Sequence, residues 1–282
     1  MKIAQISPYD FAYYGGVQRH VTSLSNELNL MGHDVVILSP CSKKSPAISF
    51  EQLDFRSLGN SIPIPFAGSI ARISPSLLVK RKLINIFEEE KFDIIHVHEP
   101  FVPLISMLSI NVSTVPVVGT FHAYNESESL FYTLGKYFLK NTYKKLSAKI
   151  TVSEPSKNFM KNFFPGNYHV IPNGIDIKNF SKKRPYPPDY DKDSYNLLFV
   201  GRVNESRKGL RWLIKAFSIL RLQRSDIKLI IVGQGVPEPE IYRIIGERGL
   251  ENISFKGEVS DENLIAYYQH ADIFCAPNTG NE

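Results

Sequence analysis

The 282-residue chain is 43% hydrophobic and 22% charged, a balance that supports packed cores and excludes disorder as its default state. Its length exceeds one ordinary domain, so two are expected. The formal net charge of +5 points to anionic partners such as phosphates, lipid headgroups or nucleic acid. No groove-reading motif or aromatic stacking platform supports nucleic acid. Two cysteines, Cys41 and Cys275, suggest neither a disulfide framework nor a zinc site and fit a reducing cytosol. The apolar start is too short for a signal peptide, and no apolar run approaches the roughly 18 residues of a membrane span, so any membrane contact is expected to be peripheral.

In chain order, β-branched runs at 2–7, 34–40, 93–99, 116–122, 148–153 and 168–172 alternate with helical patterns, the signature of a parallel sheet wrapped by helices. In the first helix Val17, Val21, Leu24, Leu28 and Met31 share one face and Gly32 supplies the stop, which predicts packing on the first strand. The periodicity fails from about 173 to 194, where Lys182-Lys183-Arg184-Pro185-Tyr186-Pro187-Pro188 reads as a linker. A second series follows: strands at 196–200, 228–232, 252–255 and 272–276, helices at 209–224, 237–248 and 261–271. The expected division is 1–180, linker 181–195, and 196–282. Four parallel strands with no closing helix predict that the second domain is truncated.

Chemistry concentrates at strand ends. Arg202, Arg207, Lys208 and Arg211 crowd the start of the 209–224 helix, where the macrodipole disfavours each cation by a few tenths of a kcal/mol. One acid, Glu205, cannot balance four bases, so a diphosphate is expected there. Gly15 and Gly16, between the first strand and first helix, allow close approach of a ligand at the sheet's C-terminal edge, or simply a tight turn. Gly233-Gln234-Gly235 suggests a dinucleotide fingerprint, but Glu238 occupies its last glycine position, which disfavours hydride transfer. His96 and His98 share a strand face beside Glu99, and His122 ends the next strand. A metal site lacks a convincing fourth ligand, so hydrogen bonding, with His122 facing substrate, is the expectation. No side chain is an obvious nucleophile paired with a base, and no Asp-x-Asp metal motif is visible near a strand end.

Two stretches combine base and apolar character: Lys80, Arg81 and Lys82 with Val79, Leu83, Ile84 and Phe87, and a helix over about 128–149 with Lys136, Lys140 and Lys144 beside Phe131, Leu134, Phe138 and Leu146. Each fits either an anionic bilayer surface or a helix with its apolar stripe in the core.

Gly15-Gly16-Val17-Gln18, Pro65-Phe66-Ala67-Gly68-Ser69-Ile70-Ala71-Arg72, His96-Val97-His98-Glu99-Pro100, Thr120-Phe121-His122, Ile171-Pro172-Asn173-Gly174-Ile175-Asp176, Gly201-Arg202, Arg207-Lys208-Gly209 and Cys275-Ala276-Pro277-Asn278 stand in this order. Together they resemble the retaining GT-B glycosyltransferases of family 4 type, most closely the phosphatidylinositol mannosyltransferases. The resemblance implies an α/β protein of two Rossmann-like domains facing a central cleft. It implies transfer of mannose from GDP-mannose to a lipid-type acceptor such as phosphatidylinositol, without metal, by a cytoplasmic protein peripheral to the inner face of the membrane. A UDP-sugar with another lipid or polyol acceptor, or a nucleotide-binding module without transfer, are the alternatives.

By the same resemblance Gly15 and Gly16 approach the donor phosphates, Arg202 and Lys208 hold the diphosphate, Glu205 lies beside the nucleotide, and Val259 and Asp261 flank the base. His122 is near the transferred sugar and Arg72 meets the acceptor phosphate, which its planar donor fork suits. Glu282 is the first of two glutamates that grip sugar and ribose; the second falls beyond the chain's end. Leu264 departs from a basic residue common nearby in the relatives.

Overall fold

The apolar runs form parallel strands in a computed structural model that describes residues 1–13, 15–43, 53–66, 69–74, 78–122, 130–247 and 250–279. Two units result, Met1–Ile175 and Asp176–Glu282.

The first unit contains β1 (Lys2–Ile6), α1 (Gly16–Leu30), β2 (Asp34–Ser39), β3 (Asp54–Ser57), β4 (Ile62–Phe66), β5 (Ser69–Ile73), α2 (Val79–Glu90), β6 (Ile94–His98), α3 (Ile105–Val112), β7 (Val117–Phe121), α4 (Leu130–Lys144), β8 (Leu146–Thr151), α5 (Glu154–Phe163) and β9 (His169–Val170). Seven strands pair in parallel in the order β3-β2-β1-β6-β7-β8-β9, while β4 and β5 form a separate antiparallel pair. The strand order reverses between β1 and β6, which opens a crevice at their carboxyl ends, the place where ligands bind in such sheets. Ala4, Ile6, Val36, Leu38, Ile95 and Val97 bury the central strands beneath α2 and α3, whose Leu83, Ile86 and Ile105 complete the core.

Three helical expectations are refined. The buried face of α1 is Gln18, Val21, Thr22 and Ser25, and Met31 is 72% exposed. The small hydroxyl residues satisfy themselves on the helix, Thr22 donating to the Gln18 carbonyl at 2.9 Å and Ser25 to that of Val21 at 2.7 Å, so α1 can lie close on β2. In α2, Val79, Leu83 and Ile86 are buried and Lys80 and Arg81 exposed, so its apolar stripe belongs to the core. Leu146, expected on a basic helix, instead begins β8 and is buried. On α4 itself Leu139 is buried, whereas Tyr137 and Phe138 are 76% and 83% exposed among exposed Lys136, Lys140 and Lys144. The side chains of Phe131 and Leu134 lie outside the described residues.

The second unit contains α6 (Ile177–Ser181), β10 (Tyr195–Val200), a single 3₁₀ turn at Ser206–Lys208, α7 (Leu210–Leu220), β11 (Ile227–Val232), α8 (Pro239–Glu247), β12 (Ile253–Gly257), α9 (Asp261–His270) and β13 (Ile273–Phe274). Its four strands are parallel in the order β12-β11-β10-β13, again reversing beside the first strand of the series. Leu197, Phe199, Leu229 and Ile231 pack toward α7 and α8, while Leu198, Ile230 and Val232 pack with Tyr267 of α9. The stretch 181–195 lies against α9: the Arg184 backbone N–H donates to Gln269 at 3.0 Å, and the Tyr190 hydroxyl to the Tyr267 carbonyl at 2.7 Å. Among the described residues no helix is long and apolar enough to cross a membrane.

Candidate functional site

In the first unit the site begins where β1, β6 and β7 end. Parallel pairing places His96 beside Val118 and His98 beside Thr120. The alternation that turns both histidines to one face brings their rings to 4.4 Å between centroids. His96 Nε2 lies 2.7 Å from Thr120 Oγ1. His98 is fully buried; its Nε2 lies 2.8 Å from Gln5 Oε1 and its Nδ1 3.0 Å from His122 Nε2. His20 of α1 completes the cluster, its ring 5.5 Å from His98 and 5.2 Å from His122. Burial depresses all four imidazoles, His96 to about 4 and His122 to about 3, and the neighbouring rings lower His98 further. They are therefore neutral near pH 7.

Glu99 follows β6 with φ 50°, a left-handed conformation that a non-glycine residue adopts only where its surroundings enforce it. Its buried carboxylate accepts the His122 backbone N–H at 2.8 Å and so fixes the end of β7 against β6. On the opposite side Asp10 shapes the β1–α1 loop, accepting from the N–H groups of Ala12 at 2.8 Å and Ser42 at 3.1 Å, while Gln18 donates to the Asp10 carbonyl at 3.1 Å. A Cβ on Gly15 would fall 2.3 Å from Gln18 Oε1, whereas one on Gly16 would meet nothing within 4 Å. Gly15 thus lies against the end of the Gln18 side chain, and Gly16 stands at the open start of α1.

In the second unit β10 ends at Val200, and Gly201 and the basic turn follow. Its charges do not simply crowd together. Glu205, only 7% exposed, takes Arg202 on one oxygen at 3.0 Å and Arg207 on the other at 2.6 Å. Arg211 is drawn away to Glu240 of α8 at 3.0 Å, a carboxylate it shares with Lys215. The expected fourfold convergence is thus corrected to two guanidiniums braced by one buried carboxylate, with Lys208 alongside. Lys208 is half-buried, and desolvation, then Arg207, hold its ammonium below the usual lysine range while Glu205 opposes them. Gly209, at φ 72°, separates the 3₁₀ turn from α7. Any Cβ there would meet the Pro277 carbonyl oxygen at 1.8 Å. A cavity of about 340 Å³ adjoins the turn, lined by Glu205, Arg207, Arg211, Trp212, Glu238 and Thr279 among others; Arg202 and Lys208 do not line it. Gly233 has φ 149° and touches the Gly201 carbonyl, so this glycine serves close packing of two strand ends.

Val259 is half-buried beside Leu264 in the α9 core and Asp261 opens α9. Arg72 lies on β5 with its side chain outside the described residues, as does all of Glu282. Sequence reasoning missed His20 and Gln5. Their signal was positional: Gln5 points from β1 to the face that β6 presents with His98, and His20 lies one turn beyond Gly16.

Two sheets of this order, each with its polar residues at the switch point, define a Rossmann-like pair of GT-B type. Residues 14–179 match glycosyltransferase family 4, and residues 194–282 match glycosyl transferases group 1. The chain belongs to glycosyltransferase family 4. It is 33% identical over 284 residues to the phosphatidyl-myo-inositol mannosyltransferase of Mycobacterium tuberculosis (strain ATCC 25618 / H37Rv), covering 100% of this chain and 72% of that one. The enzyme of the same name from Propionibacterium freudenreichii is 31% identical over 289 residues, with the same coverage. Among solved structures, Anabaena Alr3699/HepE in complex with UDP superposes with a TM-score of 0.72 at 18% identity, covering 100% of this chain and 75% of that one.

Proposed function

We propose that the chain is the donor- and acceptor-binding portion of a retaining mannosyltransferase that moves mannose from GDP-mannose to phosphatidylinositol. The observation that carries this reading is the turn after β10, where Glu205 braces Arg202 and Arg207 beside a half-buried Lys208. A carboxylate that fixes two guanidiniums makes a preorganised anion site, since the donors are oriented before the diphosphate arrives. The identity of the relatives over the whole chain supports the sugar and the acceptor.

In the reaction, Arg202 and Lys208 neutralise charge growing on the departing diphosphate, so this role needs no metal ion. Gly16 leaves room for the donor phosphates at the start of α1, and Val259 and Asp261 flank the base. His122 faces the sugar, Arg72 takes the acceptor phosphate, and Glu282 grips the donor sugar. Substitution proceeds on one face of the sugar, and the leaving phosphate oxygen takes the acceptor hydroxyl proton. The protein contributes alignment and charge stabilisation. The exposed Phe138 and Tyr137 among the lysines of α4 suit an anionic membrane surface, where the acceptor resides.

The test is transfer of labelled mannose from GDP-mannose to phosphatidylinositol in vesicles by protein that contains these 282 residues. A labelled lipid is expected. Label transferred only from a UDP-sugar, or GDP binding no tighter than UDP in calorimetry, would overturn the donor assignment.

A further inference from the structure

The histidine cluster of the first unit has a geometry that hydrogen bonding alone does not require. His20, His98 and His122 each offer one ring nitrogen, and the three nitrogens lie within 4.8 Å of one another. His98 Nδ1 and His122 Nε2 are already 3.0 Å apart, close to the spacing of about 3.3 Å that two imidazoles adopt on a tetrahedral ion with Zn–N bonds of about 2.0–2.1 Å.

Gln5 sets the direction of the His98 lone pair. With its Oε1 on His98 Nε2, the Gln5 amide nitrogen is buried without a hydrogen-bond partner. In this arrangement the His98 proton sits on Nε2 and is donated to Gln5, so the Nδ1 lone pair points at the other two rings. A histidine whose far nitrogen donates to a fixed oxygen is the usual second layer of a metal site, because that contact holds both tautomer and ring orientation. His122 is held in turn through its backbone by Glu99. His98 is fully buried, whereas His20 and His122 are half-buried, so the cluster is reached past those two rings. His20 brings the third ring from α1 rather than from a strand end, packed 5.5 Å from the His98 ring and 5.2 Å from that of His122.

We infer that His20, His98 and His122 form a binding site for a zinc-class divalent cation. Three neutral imidazoles suit borderline-soft ions such as Zn²⁺ and Co²⁺ rather than Mg²⁺ or Ca²⁺, which prefer oxygen. Three protein ligands leave the fourth position to water or a hydroxyl group. His96 is not part of the set, since its Nε2 is engaged by Thr120. Because His122 faces the sugar in the function proposed above, an ion here competes with that contact and makes zinc an inhibitor. This consequence rests on that reading, whereas ion binding itself does not.

The experiment is equilibrium dialysis of the tag-free 282-residue chain against Co²⁺ and Zn²⁺, with absorption spectroscopy of the cobalt form. One ion per chain and the ligand-field spectrum of four-coordinate cobalt are expected. His20→Gln should weaken binding by at least about 100-fold, beyond the 10–100-fold typical of losing an outer-layer contact. His20→Cys, which supplies a thiolate ligand, should restore much of it. His169→Gln, at an exposed position on β9, should change nothing. Absence of a stoichiometric ion, octahedral cobalt absorption, or a His20→Gln variant that folds and binds as tightly as the parent each overturns the site.

Discussion

Gly209→Ala tests whether the anion turn is held in place by backbone close packing. At φ 72° an alanine costs about 1–2 kcal/mol relative to glycine. Its Cβ would sit 1.8 Å from the Pro277 oxygen and 2.7 Å from the Pro277 carbonyl carbon, so the segment after β13 must retreat by more than an ångström. That retreat breaks the hydrogen bond from the Thr279 N–H to the Arg207 carbonyl, now 2.9 Å, worth about 1 kcal/mol. The total is about 3 kcal/mol, a large part of the stability of an ordinary domain. With a urea slope of about 2 kcal/mol/M, the midpoint falls by about 1.5 M. Trp212, the chain's single tryptophan, stands half-exposed on α7 three residues from the substitution, so its fluorescence reports this unit directly. Gly246→Ala is the control: it lies on α8, its Cβ would meet nothing within 4 Å, and it should stabilise by about 0.5–1 kcal/mol. A Gly209→Ala midpoint at or above the parent value, or equal shifts in both variants, refutes the reasoning.

Lys208→Ala should lower turnover about a hundredfold, the typical loss of one charge-stabilising group, with little change in folding; unchanged turnover removes Lys208 from the mechanism. In metal-free buffer the first unit should lose stability between pH 7 and pH 5. Unfolded histidines take up protons through about 6.5, whereas His96 and His122 stay neutral in the fold until about 4 and about 3, so each withdraws about 2 kcal/mol over that interval. The depressed carboxylate Glu90 of the same unit contributes stability that is lost as pH falls below about 4.5, so equal urea midpoints at pH 7 and pH 5 would contradict the buried-imidazole account. Phe138→Ser and Lys140→Glu should each reduce sedimentation with anionic vesicles about fivefold, from about 1 kcal/mol per contact, and parent-like pelleting of both excludes α4 as the contact surface.

The parallel strands were legible because both faces are covered and the sequence is forced into short β-branched runs. β3, β4 and β5 were not. Ile62-Pro63-Ile64-Pro65-Phe66 carries prolines that argue against a central strand, and β4 indeed pairs with β5 alone, apart from the seven-stranded sheet. The inward face of α1 was misread because periodicity weighs Leu24, Leu28 and Met31 above Thr22 and Ser25. Hydroxyls that bond their own helix behave as small apolar groups and permit closer contact with the sheet.

The site divides along the same line. Residue types at strand ends, such as His122 and Lys208, can be read from sequence because a strand's end and a helix's start are one-dimensional features. Pairing cannot be so read. Counting four bases against one acid treated Glu205 as a fraction of a local sum, yet its burial lets one carboxylate orient two guanidiniums while Glu240, 29 residues beyond Arg211, removes that arginine from the set. The consequence is asymmetric. Removing Glu205 frees two cations at once and should scatter the anion site, whereas removing Glu240 unpairs Arg211, which already lines the neighbouring cavity, and leaves the Arg202–Glu205–Arg207 brace intact. Nucleotide affinity measured by calorimetry should therefore fall for Glu205→Gln and hold for Glu240→Gln; the reverse order would mean that the brace is not the anion site.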